Sequence, residues 1–258
     1  MEHNSKNHEK WHSEASEEIR NEYQNLAMQL KNINTNTNYW NWELASYLTN
    51  TTLGRILALN KIFLEINNIH GSILELGCHC GTSSLLLSNL RTLYEPYNSS
   101  REFHLFDTFE GIPNEQSSKD LDEPTFSFSL PKEFVENLKN NIISHKIIQK
   151  KAANTSKFKI HKGKIEDTIP KFIKENDHLI ASLVIIDLDL YEPTLFAINS
   201  IKKILRVGSI VIIGGTNSPY MPGSTHALRE SFLKNCEILN VPFMPYLGYI
   251  KIKKEDLN

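Results

Sequence analysis

The sequence is short of cysteine. Three in 258 residues do not make a disulfide framework, so a reducing, cytoplasmic setting is the expectation. Neither charge is in excess. Lys and Arg number 28 against 30 Asp and Glu, a net charge of −2, so nothing advertises a nucleic-acid or anionic-membrane partner. Long apolar runs are missing. Stretches such as Leu183–Ile186 and Ile210–Ile213 fall far below the roughly 20 residues that span a bilayer. The opening MEHNSKNHEKWH is polar and charged, unlike a secretion signal. No repeat of solenoid or propeller period is visible. A secreted, integral-membrane or fibrous protein is therefore not expected. What is present is 40% hydrophobic and 22% charged residues, enough for a sizeable core and incompatible with disorder throughout. The length suits one large α/β domain, or one domain with an added arm.

The arm covers residues 1–50. Between Trp11 and Ile33, apolar Ile19, Tyr23, Leu26, Ala27 and Leu30 recur three and four apart, the spacing of an amphipathic helix. A polar linker, NINTNTN, follows, and then the aromatic group Tyr39-Trp40-Asn41-Trp42, read as packing the arm onto the core. The arm helix suits either that packing or a homodimer. A second helix is expected over Thr52–Asn67, capped by Thr51 or Thr52.

From residue 71, short β-branched runs alternate with helix-length segments. Strands are expected at 72–76, 102–106, 158–161, 183–187 and 209–213. Helices are expected at 82–93, 168–174, 193–205 and 226–233. Such alternation argues for a parallel sheet covered on both faces. The end differs: 236–241 and 246–253 read as an antiparallel hairpin. Residues 114–157 form a long polar insertion, with a helix expected from 129 or 130 to 141, and insertions of this length often cover substrate sites.

Four motifs stand at the carboxyl ends of these strands, where ligands of open α/β sheets bind. The first is Glu75-Leu76-Gly77-Cys78-His79-Cys80-Gly81, running into Thr82 and Ser83. Glycines let a ligand approach the backbone, and a helix N-terminus offers free N–H groups. The spacing is G-x-x-x-G rather than the G-x-G-x-x-G of a dinucleotide loop. With Glu75 ahead of it, the turn suits the cationic amino-acid end of S-adenosylmethionine better than a pyrophosphate. The second is Phe106-Asp107-Thr108-Phe109-Glu110-Gly111-Ile112-Pro113, whose Asp107 can accept both ribose hydroxyls of a cofactor. The third is Asp187-Leu188-Asp189-Leu190-Tyr191-Glu192-Pro193; in an extended chain Asp187 and Asp189 share a face. The fourth is a loop, Gly214 to His226, with Tyr220 and His226 as candidate proton handlers. Cys78-His79-Cys80 is a poor metal site, since three consecutive residues do not wrap a tetrahedral ion and no second ligand pair exists.

Taken together, ILELG (73–77), FDTFEGIP (106–113), GKIEDTIPKF (163–172), IDLDLYEPT (186–194) and the P-G-x-T segment (222–225) resemble class I S-adenosylmethionine-dependent methyltransferases. More narrowly the chain is similar to the macrocin O-methyltransferase group, which methylates sugar hydroxyls. The resemblance implies a Rossmann-like, doubly wound, seven-stranded, mostly parallel sheet ending in an antiparallel hairpin, spanning residues 51–258. It implies cofactor contacts from Glu75, Gly77, His79, Gly81, Thr82, Ser83, Asp107, Thr108 and Asp187, with Lys164 and Ile165 flanking the adenine.

Two departures matter. Where relatives carry an acidic pair after strand five, able to hold Mg²⁺ with the strand-four aspartate, this chain has Gly214 and Gly215. Where relatives read P-G-E-T, it has Pro222-Gly223-Ser224-Thr225. Too few carboxylates remain for a hard cation, so no required metal is expected. A side-chain base must then serve the acceptor: Asp187, Asp189 or His226, with Tyr220 orienting. The expected acceptor is a nucleotide-activated sugar of bacterial surface-glycan or capsule synthesis. The rivals are a silent cofactor-binding module and a methyltransferase acting on a non-sugar small molecule. Lys119, Lys132, Arg229 and Lys234 are available to a diphosphate.

Overall fold

The computed structural model describes residues 17–33, 36, 39–112, 117–121, 133–149 and 156–257. Internal contacts divide the chain into two units, one ending at Arg55 and one beginning at Ile56.

The first unit holds helix α1 (Glu17–Leu30), a single turn α2 (Trp40–Glu43), a 3₁₀ turn (Leu44–Tyr47) and the start of α3 (Asn50–Ile66). Of the helix expected over 11–33, the first six residues lie outside the described ones. Tyr39 and Trp42 meet edge to face at 5.8 Å, and both rings are exposed, Trp42 by 73%.

The second unit is the α/β layer structure. Its elements are β1 (Ser72–Leu76), α4 (Thr82–Tyr94), β2 (Glu102–Asp107), α5 (Phe134–Gln149), β3 (Lys157–Lys162), α6 (Ile165–Glu175) and β4 (Ala181–Ile186). Then come α7 (Tyr191–Ile201), β5 (Leu205–Gly214), α8 (Pro222–Glu230), β6 (Leu239–Asn240) and β7 (Leu247–Lys251). The sheet order is β3-β2-β1-β4-β5-β7-β6. β1 to β5 pair in parallel, and β7 runs antiparallel to both neighbours. The expected sheet and terminal hairpin are both present.

Alternation along each strand splits the core into two apolar layers. Ile73, Phe103, Leu105, Leu183, Ile185, Ile210 and Ile212 face one way, against Phe63 of α3, Leu87 of α4 and Leu138 of α5. Leu74, Leu76, Phe106, Val184, Ile186, Val211 and Ile213 face the other, against Phe172 of α6, Ile198 of α7 and Leu228 of α8. Burial on both faces is why these strands read as continuous apolar runs. Among the described residues no helix is long and apolar enough to cross a membrane.

Several boundaries differ from the sequence reading. α6 starts at Ile165, three residues early, because Lys164 is extended and Glu166 and Asp167 favour a helix N-terminus. α7 starts at Tyr191 and ends at Ile201, so β5 begins at Leu205 rather than at 209. α8 starts at Pro222, since proline suits a first helical position, and stops at Glu230. His226 is therefore in mid-helix, not at a helix start. α5 lies later and runs longer than expected, from Phe134 to Gln149.

β2 carries a fully buried imidazole. His104 lies against Phe172 (4.6 Å between centroids), and its Nδ1 is 3.3 Å from His161 Nε2. Burial first, then His161 and Lys159, push its pKa down to about 3, against a smaller opposing pull from Glu102. The folded state thus binds fewer protons than the unfolded chain, whose histidine titrates near ~6.5. Stability is full above that pH and falls below it, by about 1.4 kcal/mol per pH unit for this group. Glu75 and Asp189, whose raised pKa values act in the opposite sense, are common to native protein and variant, so the difference isolates His104: from pH 7 to pH 5 the urea midpoint of the native protein should fall relative to that of His104→Leu.

Candidate functional site

Strand register builds the site. Leu76 of β1 lies opposite Phe106 of β2 and Ile186 of β4. The residues that follow, Gly77, Asp107 and Asp187, therefore emerge at one level. Backbone bonds fix that level: Gly77 N–H donates to Phe106 O and Asp187 N–H to Leu76 O, both at 2.8 Å. β1 and β4 flank the point where the strand order reverses, the usual ligand crevice of such sheets.

The glycine turn needs its glycines. Gly77 has φ +84, and a Cβ there would lie 2.1 Å from Asp187 O. Gly81 has φ +69, and a Cβ there would lie 2.7 Å from a Leu138 methyl. Between them His79 is also left-handed, φ 46. Asp107 holds this conformation: its Oδ2 accepts His79 N–H and its Oδ1 accepts Phe109 N–H, both at 2.7 Å. The His79 ring stacks on Phe134 of α5 at 6.3 Å. Thr108 Oγ1 accepts Glu110 N–H, closing a local turn beside Asp107.

Glu75 is 4% exposed. Its Oε2 accepts both the backbone N–H (3.1 Å) and the hydroxyl of Ser84, tying β1 to the first turn of α4. Burial pushes its pKa up to about 7, against hydrogen bonds from Ser84 and Ser83. Ser83 is buried beside it, while Thr82 is exposed and shares a 3.1 Å contact with Cys80 Sγ. Gly163 N–H donates to Asp107 O, which sets Lys164 and Ile165 next to the end of β2. Ile165 itself is buried in the core layer.

The two aspartates after β4 do not lie along an extended chain. Asp189 is left-handed, φ 64, so the shared-face argument fails, yet the turn still brings the two carboxyls together. Burial raises the Asp189 pKa, the Asp187 charge raises it further, and His79 opposes. Those partners put His79, Asp187 and Asp189 in one electrostatic cluster. His226 is half-buried on α8, one turn before Glu230. Tyr220 is 46% exposed, its N–H on Ser218 Oγ. Lys119 is held by Tyr191 and Glu230 rather than left for a diphosphate. Lys132 lies outside the described residues, and Arg229 and Lys234 are exposed.

Gly214 explains one departure from the sequence pattern of relatives. A Cβ there would lie 1.8 Å from Asp187 Oδ1, so no acid fits at 214 while Asp187 keeps its place. Among the described residues no group of three or more His, Cys, Asp or Glu is placed to hold a metal. Two carboxylates, Asp187 and Asp189, remain at this end of β4, and a cation bound there would take its other oxygens from water or substrate.

A family model described as macrocin-O-methyltransferase (TylF) matches residues 49–230. The chain belongs to this family. It is thus an S-adenosylmethionine-dependent methyltransferase of a sugar O-methyltransferase family. Similar solved structures include CalS11, a calicheamicin methyltransferase. It is 27% identical with a TM-score of 0.84, over 92% of this chain and 93% of that one. An apo form of CalS11, described as a TDP-rhamnose 3′-O-methyltransferase of calicheamicin biosynthesis, is 26% identical with a TM-score of 0.78, over 92% and 95%. The O-methyltransferase NovP shares the fold, at 19% identity and a TM-score of 0.60, over 78% and 80%. A comparison with curated protein sequences finds no match.

The donor set fits the family's cofactor. A carboxylate offers about four acceptor positions, and Asp107 uses two on backbone amides, leaving capacity for ribose hydroxyls. What the sequence did not mark is the support around the site. Ser84 and Glu230 lie inside expected helices and Asp120 in the polar insertion, and nothing in their spacing sets them apart from solvated side chains. Asp107→Ala should weaken S-adenosylhomocysteine binding at least ~10-fold by calorimetry and destabilise the fold by ~1–3 kcal/mol, because two amides lose their acceptor.

Proposed function

We propose that this family member methylates a hydroxyl of a nucleotide-activated sugar, with Asp189 as the base and without a required metal. The observation that carries the reading is Asp189 itself. It is a half-buried carboxyl held beside Asp187 at the carboxyl end of β4, with its pKa raised toward the range where a general base works best. The similarity to a TDP-rhamnose methyltransferase over almost the whole chain supports a sugar linked to a nucleoside diphosphate, such as a modified hexose or heptose. A role in bacterial surface-glycan or capsule synthesis, in the cytoplasm, belongs to the same proposal.

S-adenosylmethionine supplies a methyl group on a sulfonium, so the leaving group needs no help. The protein's part is alignment and proton removal. Asp107 and the glycine turn fix the cofactor end of the crevice. Asp189 accepts the proton of the sugar hydroxyl as the oxygen advances. Burial, and then the Asp187 charge, keep Asp189 basic, and His79 tempers that effect. Tyr220 and His226 stand on the acceptor side, in the loop and helix after β5.

A second reading is a silent module that binds the cofactor and transfers nothing, favoured by the glycines in place of the acidic pair. The deciding experiment offers purified protein a panel of nucleotide-linked sugars, with and without EDTA, and measures S-adenosylhomocysteine formation. Turnover should survive EDTA. Asp189→Asn should lower it by about 10²–10⁴-fold, the usual worth of a positioned base. Loss on EDTA with recovery on Mg²⁺ would overturn the metal-free reading. Tight S-adenosylhomocysteine binding without turnover of any sugar would favour the silent module.

A further inference from the structure

Asp189 sits in a turn whose far end is the first residue of α7. The cap residue of α7, Leu190, offers no side-chain hydrogen bond, so the helix lacks a local cap. A distant carboxylate takes that place. Asp120, in the insertion after β2, accepts Tyr191 N–H on Oδ1 at 2.9 Å. Its Oδ2 accepts the N–H and hydroxyl of Ser117, each at 3.0 Å, so the carboxylate is itself oriented. A second clamp reinforces the first. Lys119 Nζ donates to Tyr191 OH (2.9 Å) and Glu230 Oε1 (2.5 Å), and it lies 4.0 Å over the Tyr191 ring. Tyr191 OH donates to Glu230 Oε2 at 2.7 Å. α8 approaches closely at the same point. A Cβ on Gly223 would lie 2.0 Å from Asp120 Oδ1 and 2.6 Å from Tyr191 N.

We propose that Asp120 is a positioning residue for methyl transfer. By capping α7 from the insertion, it holds the Leu188–Tyr191 turn and keeps Asp189 where the acceptor hydroxyl must arrive. The physical reason is strain. A non-glycine residue in the left-handed region is strained and persists only when its surroundings over-determine it. Asp189 is held on one side by the strand pairing that ends at Asp187, and on the other by Leu190 and Tyr191. An acid at a helix N-terminus also meets the favourable end of the helix dipole. Without Asp120 the α7 end loses its acceptor and the turn is free to relax. The insertion thereby couples to the chemistry without touching substrate. This inference rests on Asp189 being the base.

The test uses the full chain and four variants: Asp120→Ala, Asp120→Asn, Gly223→Ala and Asp189→Asn. Amide hydrogen exchange is followed over residues 188–191 and across β1 and β4. S-adenosylhomocysteine affinity is measured by calorimetry, and kcat and KM with TDP-rhamnose as the acceptor probe. In Asp120→Ala, exchange at Tyr191 should rise by about 10-fold and kcat should fall by about 10-fold. KM, S-adenosylhomocysteine affinity and exchange in β1 and β4 should stay within about two-fold. Gly223→Ala should do the same by wedging the contact apart, in a helix that alanine favours. Asp120→Asn keeps one acceptor oxygen, which can serve Tyr191 N–H, but loses the acceptor for Ser117 N–H, so it should recover part of the loss.

Unchanged exchange at Tyr191 in Asp120→Ala would overturn the proposal. So would a rise spread through β1 and β4, or an Asn variant as impaired as the Ala variant. If Asp189→Asn remains fully active, the base assignment fails, and exchange at Tyr191 still decides whether Asp120 holds the turn. If wild type leaves TDP-rhamnose untouched, the exchange pattern decides alone: a rise confined to the turn and partly reversed by Asn supports the proposal, and any other pattern rejects it.

Discussion

Everything at this site hangs on one alignment, the parallel pairing of β2, β1 and β4 in a register that ends all three strands together. Two backbone bonds, Gly77 N–H to Phe106 O and Asp187 N–H to Leu76 O, extend the ladder one step past the strands. That last step carries Gly77, Asp107 and Asp187 to the same height. A one-residue slip in a strand turns its side chains to the opposite face, so the apolar layers above and below the sheet police the register. Core packing and cofactor geometry are thus the same constraint seen from two ends of the strand.

The charges that gather there are unequal by design of their surroundings. Glu75 is buried and spent on the first turn of α4, where it anchors the helix behind the glycine turn. Asp107 spends one lone pair of each oxygen on left-handed backbone and keeps the rest. Asp187 and Asp189 sit close enough for one to oppose ionisation of the other. Four carboxylates of the same chemical type therefore hold different tasks because burial, hydrogen bonding and neighbouring charge differ at each.

Much of this was legible in the sequence. The strands declared themselves as apolar runs, the glycine turn by G-x-x-x-G, and Asp107, Asp187 and Asp189 by their places just beyond β-branched segments. Boundaries were less legible where local signals competed. The helix expected from Pro193 begins two residues earlier, at Tyr191, with the proline inside its first turn, and the one expected from His226 begins at Pro222. Asp187 and Asp189 were paired for the wrong reason: alternation assumed an extended chain, and a left-handed residue made the meeting instead. The second tier was invisible. Asp120 sits 71 residues from the amide that it caps, and no local spacing encodes a contact of that range.

Gly214 has a consequence for how the Asp187 carboxyl is held. Its missing Cβ leaves the space that an Asp187 oxygen fills, at 1.8 Å from where the new carbon would go. A carboxylate at 214 and the present Asp187 rotamer exclude each other. An acid placed at 214 must therefore turn the Asp187 carboxyl to another rotamer, so the side chains at 187 and 214 set each other's positions: the empty space at the glycine is the mould in which the aspartate is held.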